Sequence, residues 1–213
     1  MSIQITLIRH GETVYNSENR IQGKLDSPLT ERGRKNTEQL GRYLRSWIGK
    51  IDSWYVSPLG RARETSNIIR KELTEMNLPR EITEDRIREI NCGDYEGQTD
   101  KTMDQEVRRR LRIEPDFPYP GGESIVDVMK RGESFLNDLM KNANNFPDRY
   151  HAVIISHGNF NRSFGSVLTG LGPYFALRVI QNNTAVNQLI SADRSPVFRV
   201  LNWNDTTHIR LKL

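Results

Sequence analysis

Ile3-Gln4-Ile5-Thr6-Leu7-Ile8-Arg9-His10-Gly11-Glu12-Thr13 is the stretch whose reading decides the fold. Its first six residues are mostly aliphatic and read as a strand, and Gly11 marks the point where that strand hands over to a loop. Arg9 and His10 therefore sit together at a strand's carboxyl end. In open α/β sheets ligands bind outside the carboxyl ends of the strands. A histidine beside a fixed positive charge there directs attention to what the other strands end in.

Two further strands end in similar chemistry. Trp54-Tyr55-Val56 reads as a short strand running into Ser57-Pro58-Leu59-Gly60-Arg61. Ala152-Val153-Ile154-Ile155 lies in a buried strand from Arg149 to Ser156 that runs into His157-Gly158-Asn159. Helices fall between them. Thr30-Glu31-Arg32-Gly33 opens one reaching about Trp47, with Leu40, Tyr43, Leu44 and Trp47 at helical spacing. Ser57-Pro58 starts a second that runs to about Met76, because proline fits a first helical turn. A third runs from about Asn159 to Leu168. Strands alternating with helices of this length predict an α/β fold, a three-layer α/β/α arrangement on a mostly parallel central sheet. His10, the Ser57-to-Arg61 segment and His157 then converge on one edge of that sheet. The polar, proline-flanked stretch at about 97–122 is expected to form a short, partly helical lid.

Composition narrows the classes. The 213 residues fit a single domain over 1–213 with a sizeable core. The net charge of +4, from 31 basic and 27 acidic residues, is mild. Basic residues are dispersed except at Arg108-Arg109-Arg110-Leu111-Arg112, which reads either as a solvated helix face or as an anion-attracting rim over a pocket. No basic stripe interleaved with aromatics speaks for nucleic acid, and no apolar run approaches the ~18 residues of a membrane span. Cys92 is the only cysteine, so no disulfide forms within the chain and a reducing compartment is expected. The first residues enter a strand pattern without a signal peptide. The expected setting is the cytoplasm, with the nucleus left open. No metal-ligand spacing occurs among the four histidines and one cysteine, so neither metal nor cofactor is expected.

An imidazole held as His10 is can attack phosphorus and carry the phosphoryl group, dividing one hard displacement into two easier ones. Four segments bear on that reading. They are Arg9 to Thr13, with Asn16 and Gln22-Gly23 downstream; Ser57 to Thr65; Arg86-Ile87-Arg88-Glu89-Ile90-Asn91-Cys92-Gly93-Asp94-Tyr95-Glu96-Gly97; and Ile155 to Asn159. In this order, and together with Pro120-Gly121-Gly122-Glu123-Ser124, Asn183-Thr184-Ala185-Val186 and Asn204-Asp205-Thr206-Thr207-His208, the set resembles the histidine phosphatase superfamily over nearly the whole chain. The matching branch is the one that holds the cofactor-dependent phosphoglycerate mutases and related phosphatases.

The resemblance implies a phosphoglycerate mutase-like fold and assigns roles. His10 would be the nucleophile, Arg9, Arg61 and His157 would surround the phosphate, and Glu89 would be the general acid. Gly11, Asn16, Gln22 and Gly23, with the backbone at Gly158 and Asn159, would contact phosphate or substrate. These residue types suit the task. A phosphoryl group in transfer spreads negative charge over its equatorial oxygens, and guanidinium forks are permanently charged and bind two oxygens in plane. Helix-start amides add donors. A leaving alkoxide must receive a proton, which calls for a carboxyl group. His151 and His208 match no catalytic slot and read as structural; Cys92 reads as a small pocket-wall or core residue.

The family's mutases carry a longer insertion with a tryptophan before the Gly-Gly-Glu-Ser motif, and a tyrosine where this chain has Cys92. Both differences, with the phosphatase-type Asp94-Tyr95-Glu96-Gly97, favour water as the acceptor. The expected function is a metal-independent phosphomonoesterase acting on small-molecule phosphoesters. The alternatives are a phosphoglycerate mutase or sugar bisphosphatase and, from another class, a non-catalytic binding or assembly module, against which the intact His10, Arg9, Arg61, Glu89 and His157 speak. Residues 185–192 and 197–203 are candidates for a sheet edge that pairs subunits into a homodimer.

Overall fold

The computed structural model describes residues 2–210. Its chain order is β1 (Ser2–Arg9), α1 (Val14–Ser17), α2 (Glu31–Arg45), β2 (Ser53–Val56), α3 (Gly60–Glu72), β3 (Glu81–Thr83), α4 (Gln105–Ile113), α5 (Ile125–Ala143), β4 (Arg149–Ser156), α6 (Gly158–Thr169), α7 (Tyr174–Arg178), β5 (Val186–Ala192), β6 (Arg199–Asp205) and α8 (Thr207–Arg210), with single 3-10 turns between β3 and α4. The strands form one sheet in the order β3-β2-β4-β1-β5-β6. The pairs β1/β4, β2/β4 and β2/β3 are parallel, whereas β5 is antiparallel to β1 and to β6. The three-layer, mostly parallel α/β architecture is as the sequence predicts.

Both faces of the sheet are covered, so its central strands are apolar on both sides. Ile3, Ile5 and Leu7 of β1 and Ala152 and Ile154 of β4 face α5 and α6, where Phe135, Phe160 and Phe164 fill the space. Ile8, Val153 and Ile155 point the other way, against Leu40 and Leu44 of α2 and Ile69 of α3. The alternation follows from the period of two along a strand.

Local signals place the helices. Thr30 caps α2 by accepting from the Gly33 amide, and Ser124 and Asp127 form a capping box that starts α5. α3 starts later than Pro58 predicts. Ser57 Oγ is engaged with His157, and the helix begins at Gly60, where the Arg61 amide donates to Asp26 Oδ1 from a neighbouring loop. α3 also ends at Glu72, short of Met76, as the chain tightens into a turn at Leu73. The 97–122 stretch contains α4. Among the described residues, no helix is long and apolar enough to cross a membrane.

Candidate active site

Register delivers the first residues of the site. Arg9 of β1 lies opposite Ser156 of β4, and Val56 of β2 opposite Ile155, so His10, His157 and Ser57 leave adjacent parallel strands at nearly the same height. The His10 amide donates to Ser156 O (2.9 Å), and the His10 and His157 ring centroids stand 5.2 Å apart. His10 Nδ1 lies 2.7 Å from Gly11 O. A carbonyl only accepts, so Nδ1 carries the proton and Nε2 keeps its lone pair. Gly11 is itself fastened: its amide donates to Thr65 Oγ1 (2.9 Å), and Asn183 Nδ2 donates to the carbonyls of His10 and Gly11. A Cβ at Gly11 would stand 2.7 Å from Thr37 Oγ1, so glycine is needed for this approach.

Electrostatics keep the imidazole neutral. Burial, followed by the nearby Arg61 and Arg9 charges, holds His10 well below the ordinary histidine range. The same causes in the same order, burial and then Arg61, hold His157 well below it. His157 Nε2 lies 2.7 Å from Ser57 Oγ, which orients the ring.

The two arginines are held at their tips. Arg9 NH1 donates to Gln181 O (2.6 Å); Arg61, only 1% exposed, donates from NH1 to Leu25 O (2.7 Å) and Asp26 Oδ1 (3.2 Å) and from NH2 to Gly23 O (2.8 Å). Burial lowers Arg9 to about 10, which leaves it charged at neutral pH. Arg9 Nε, Arg61 Nε and His157 Nδ1 are buried and have no hydrogen-bond partner among the described residues. Buried polar groups are nearly always paired, so three unpaired nitrogens near a neutral histidine could serve an anion.

Glu89 completes the ring by an arrangement the sequence does not display. Its Oε1 accepts from the amides of Ile90 (2.9 Å), Asn159 (3.1 Å) and Phe160 (3.2 Å), whereas Oε2 has one longer contact, from Asn159 (3.3 Å). The first turn of α6 thus grips the carboxyl by one oxygen and leaves the other to exchange a proton. The segment carrying Glu89 is held from the base of the lid, where Glu123 accepts from the Asn91 amide (2.8 Å) and pairs with Arg131 (3.1 Å). Gly93 has φ of +52° and a Cβ there would meet Pro120 O at 2.0 Å, so the same contact requires glycine.

Arg9, His10, Asn16, Ile21, Gln22, Gly23, Arg61, Glu89, Cys92, Tyr119 and Asn159 line one cavity of about 180 Å³. Of the expected site residues, Gly11, His157 and Gly158 lie outside that lining. Gly11 positions His10, the His157 ring stands 5.2 Å from the His10 ring, and Gly158 lines an adjoining cavity of about 450 Å³. The Asn159 amide expected to meet phosphate is taken by Glu89. Gln22 is committed through its side chain, donating to Thr13 Oγ1 (2.8 Å) and accepting from Ser27 (3.3 Å). Asn16 accepts from Asn183 through Oδ1 (3.0 Å), so its amide nitrogen is the group left to meet an anion.

Sequence reasoning did not single out Ser57, Asn183, Tyr119 or Arg162. Ser57 and Asn183 lay inside quoted motifs; the other two become visible only when the lid folds over α6. The arginine cluster divides: Arg109 pairs with Glu106 and Arg110 with Glu114 on the outer side, while Arg108 and Arg112 line a cavity of about 430 Å³. His151 and His208 are buried and bonded to Thr6 Oγ1 (2.8 Å) and Thr184 Oγ1 (2.9 Å), away from the site.

Known proteins resemble the chain in sequence and in fold. The chain is 31% identical over 191 residues to a probable phosphoglycerate mutase, GpmB, of Proteus mirabilis, covering 88% of this chain and 84% of that one. Among solved structures, YhfR of Bacillus stearothermophilus is 30% identical with a TM-score of 0.80, covering 97% of this chain and 99% of that one. A mycobacterial glucosyl-3-phosphoglycerate phosphatase is 25% identical with a TM-score of 0.83, covering 96% and 99%. The sequence pattern of the histidine phosphatase superfamily (branch 1) matches residues 5–206, and with two histidines at adjacent strand ends the chain belongs to that family.

Proposed function

We propose that the protein is a phosphomonoesterase that hydrolyses small phosphorylated metabolites through a phosphohistidine at His10, without a metal. The observation that carries the reading is the fixed tautomer of His10, with its lone pair on Nε2, beside the unpaired Arg9 Nε, Arg61 Nε and His157 Nδ1. Nε2 attacks phosphorus and the bond to the ester oxygen breaks. Glu89 Oε2 gives the leaving oxygen its proton. Water then attacks the phosphohistidine, Glu89 recovers a proton from it, and the Nε2–P bond breaks to release phosphate. With Ser57 donating to His157 Nε2, His157 Nδ1 carries a proton toward the phosphoryl oxygens, and the arginines stabilise the charge gathering there. The cytoplasm is the setting this reading adopts, consistent with a single buried cysteine; no observation speaks for the nucleus.

Phosphate release from p-nitrophenyl phosphate in the presence of EDTA tests it. Release by the wild type that is lost in His10→Ala is the expected result; EDTA-sensitive release, or release that survives in the variant, contradicts it. A second reading, transfer between phosphoglycerates, is favoured by the name of the GpmB relatives and by Arg108 and Arg112 beside the site. Interconversion of the two phosphoglycerates faster than their hydrolysis would favour it.

A further inference from the structure

The 180 Å³ cavity holds little more than a phosphoryl group, so the alcohol that leaves from it must sit elsewhere. The larger cavity of about 430 Å³ shares Ile21, Tyr119 and Asn159 with it and is within the size range of small-molecule sites. Its walls are of two kinds. Ile90, Met103, Leu111, Phe117, Ile125 and Leu177 make one side apolar. Arg108, Arg112 and Arg162 bring positive charge, against the single carboxylate of Glu123, which is already engaged with Arg131 and the Asn91 amide.

Arg162 stands at the junction. It lies on α6 one turn beyond Asn159, whose side-chain oxygen it contacts, and it lines both the 430 Å³ and the 450 Å³ cavities. It is partly buried, its charge is felt by Glu89 and Tyr119, and among the described residues no carboxylate forms an ion pair with it within 4.0 Å. A guanidinium partly withdrawn from water at a cavity wall, with no carboxylate paired to it, gains from an anion supplied by a ligand.

We infer that the leaving alcohol of the natural substrate is an apolar, ring-sized group bearing a second acidic group, the ring held between Leu111, Phe117 and Met103 and the acid by Arg162. A small polyol such as glycerate would leave the apolar wall unfilled. The inference rests on the phosphatase reading and narrows its substrate class.

The test compares kcat/KM for n-propyl, benzyl and para-carboxybenzyl phosphate, whose leaving oxygens are of similar basicity, with acetyl phosphate as a substrate too small to enter the second cavity. Benzyl phosphate should exceed propyl by about tenfold or more, from burial of the ring. The carboxylate should add about fivefold to tenfold, as a charge-assisted contact does. In Arg162→Gln the carboxybenzyl-to-benzyl ratio should fall to about one while the benzyl-to-propyl ratio survives, which also shows that the variant is folded. In Phe117→Ala the benzyl-to-propyl ratio should fall instead. Equal rates for the three esters, with His10-dependent hydrolysis of acetyl phosphate intact, would overturn the inference and leave the phosphatase reading standing. A carboxylate advantage that persists in Arg162→Gln would overturn the assignment of that arginine. Absence of His10-dependent acetyl phosphate hydrolysis would remove the phosphatase reading itself.

Discussion

The two cavities that meet at Tyr119 are built differently. In the smaller, each of four side chains is held by main chain: His10 by Gly11 O, Arg9 by Gln181 O, Arg61 by Gly23 O and Leu25 O, Glu89 by three amides. In the larger, α4 and α6 contribute Arg108, Leu111, Arg112 and Arg162 to the walls, and charges on α4 are traded between side chains, as in Arg109–Glu106 and Arg110–Glu114. Main-chain partners are set by the course of the backbone through the loops and the first turn of α6, and cannot be moved without rebuilding it. Side-chain pairs on a short helix can be exchanged without that cost. The first arrangement suits chemistry that needs preorganised charge; the second suits a selective surface that can differ among proteins of one fold.

Substitutions separate the two regions. The largest effect belongs to His10→Ala, with a loss of about ten-thousandfold or more in kcat, since the imidazole that would bond to phosphorus is gone. Next comes Glu89→Gln, which should lower kcat for alkyl phosphates by about a hundredfold to ten-thousandfold. Acetyl phosphate, whose leaving carboxylate needs no proton, should be spared most of that loss; equal losses on both would argue that Glu89 acts by charge or structure alone. Ser57→Ala leaves His157 Nε2 without its partner and should cost about tenfold to a hundredfold in kcat by misplacing the ring.

Acidity distinguishes the buried interior from the exposed lid. In the proposed mechanism His10 attacks as the neutral base, and its affinity for protons is depressed by burial, so the acid limb of kcat/KM should lie well below pH 6.5. Stability should change in the same range. His151 and His208 are lowered to about 4, chiefly by burial. The unfolded chain takes up protons at these imidazoles below about pH 6.5 while the folded chain does not until about 4, so stability present above 6.5 is lost as pH falls through that window. Denaturation midpoints at pH 7 and pH 5 should differ accordingly, and His151→Asn should shrink the difference. The smallest effect is expected at Arg109→Ala. The pair with Glu106 is solvent-exposed and screened, so kcat/KM should stay within about twofold of wild type.

The same contrast explains what could be read in the sequence. His10, Arg61 and His157 follow apolar strands, and their convergence follows from parallel pairing, so fold and phosphate chemistry were both legible. The start of α3 was misjudged because its cap is Asp26, a residue 35 positions away from Arg61, whose amide it accepts. Arg162 and Tyr119 gave no signal, since neither lies at a strand end and their place depends on how the lid lies against α6. The Asn159 amide looked like a phosphate donor because helix starts attract anions; the group it meets is the carboxyl of Glu89.

The central claim is that phosphorus passes through Nε2 of His10. Rapid quenching of the wild type during turnover of an acyl or aryl phosphate, followed by phosphorus NMR of the alkali-stable phosphoprotein, tests it directly. The account predicts an acid-labile phosphohistidine with the signal of the Nε2 isomer, absent from His10→Ala and accumulating when Glu89→Gln slows its hydrolysis. A phosphoenzyme on Nδ1, on another residue, or no phosphoenzyme at all during rapid turnover, would contradict it.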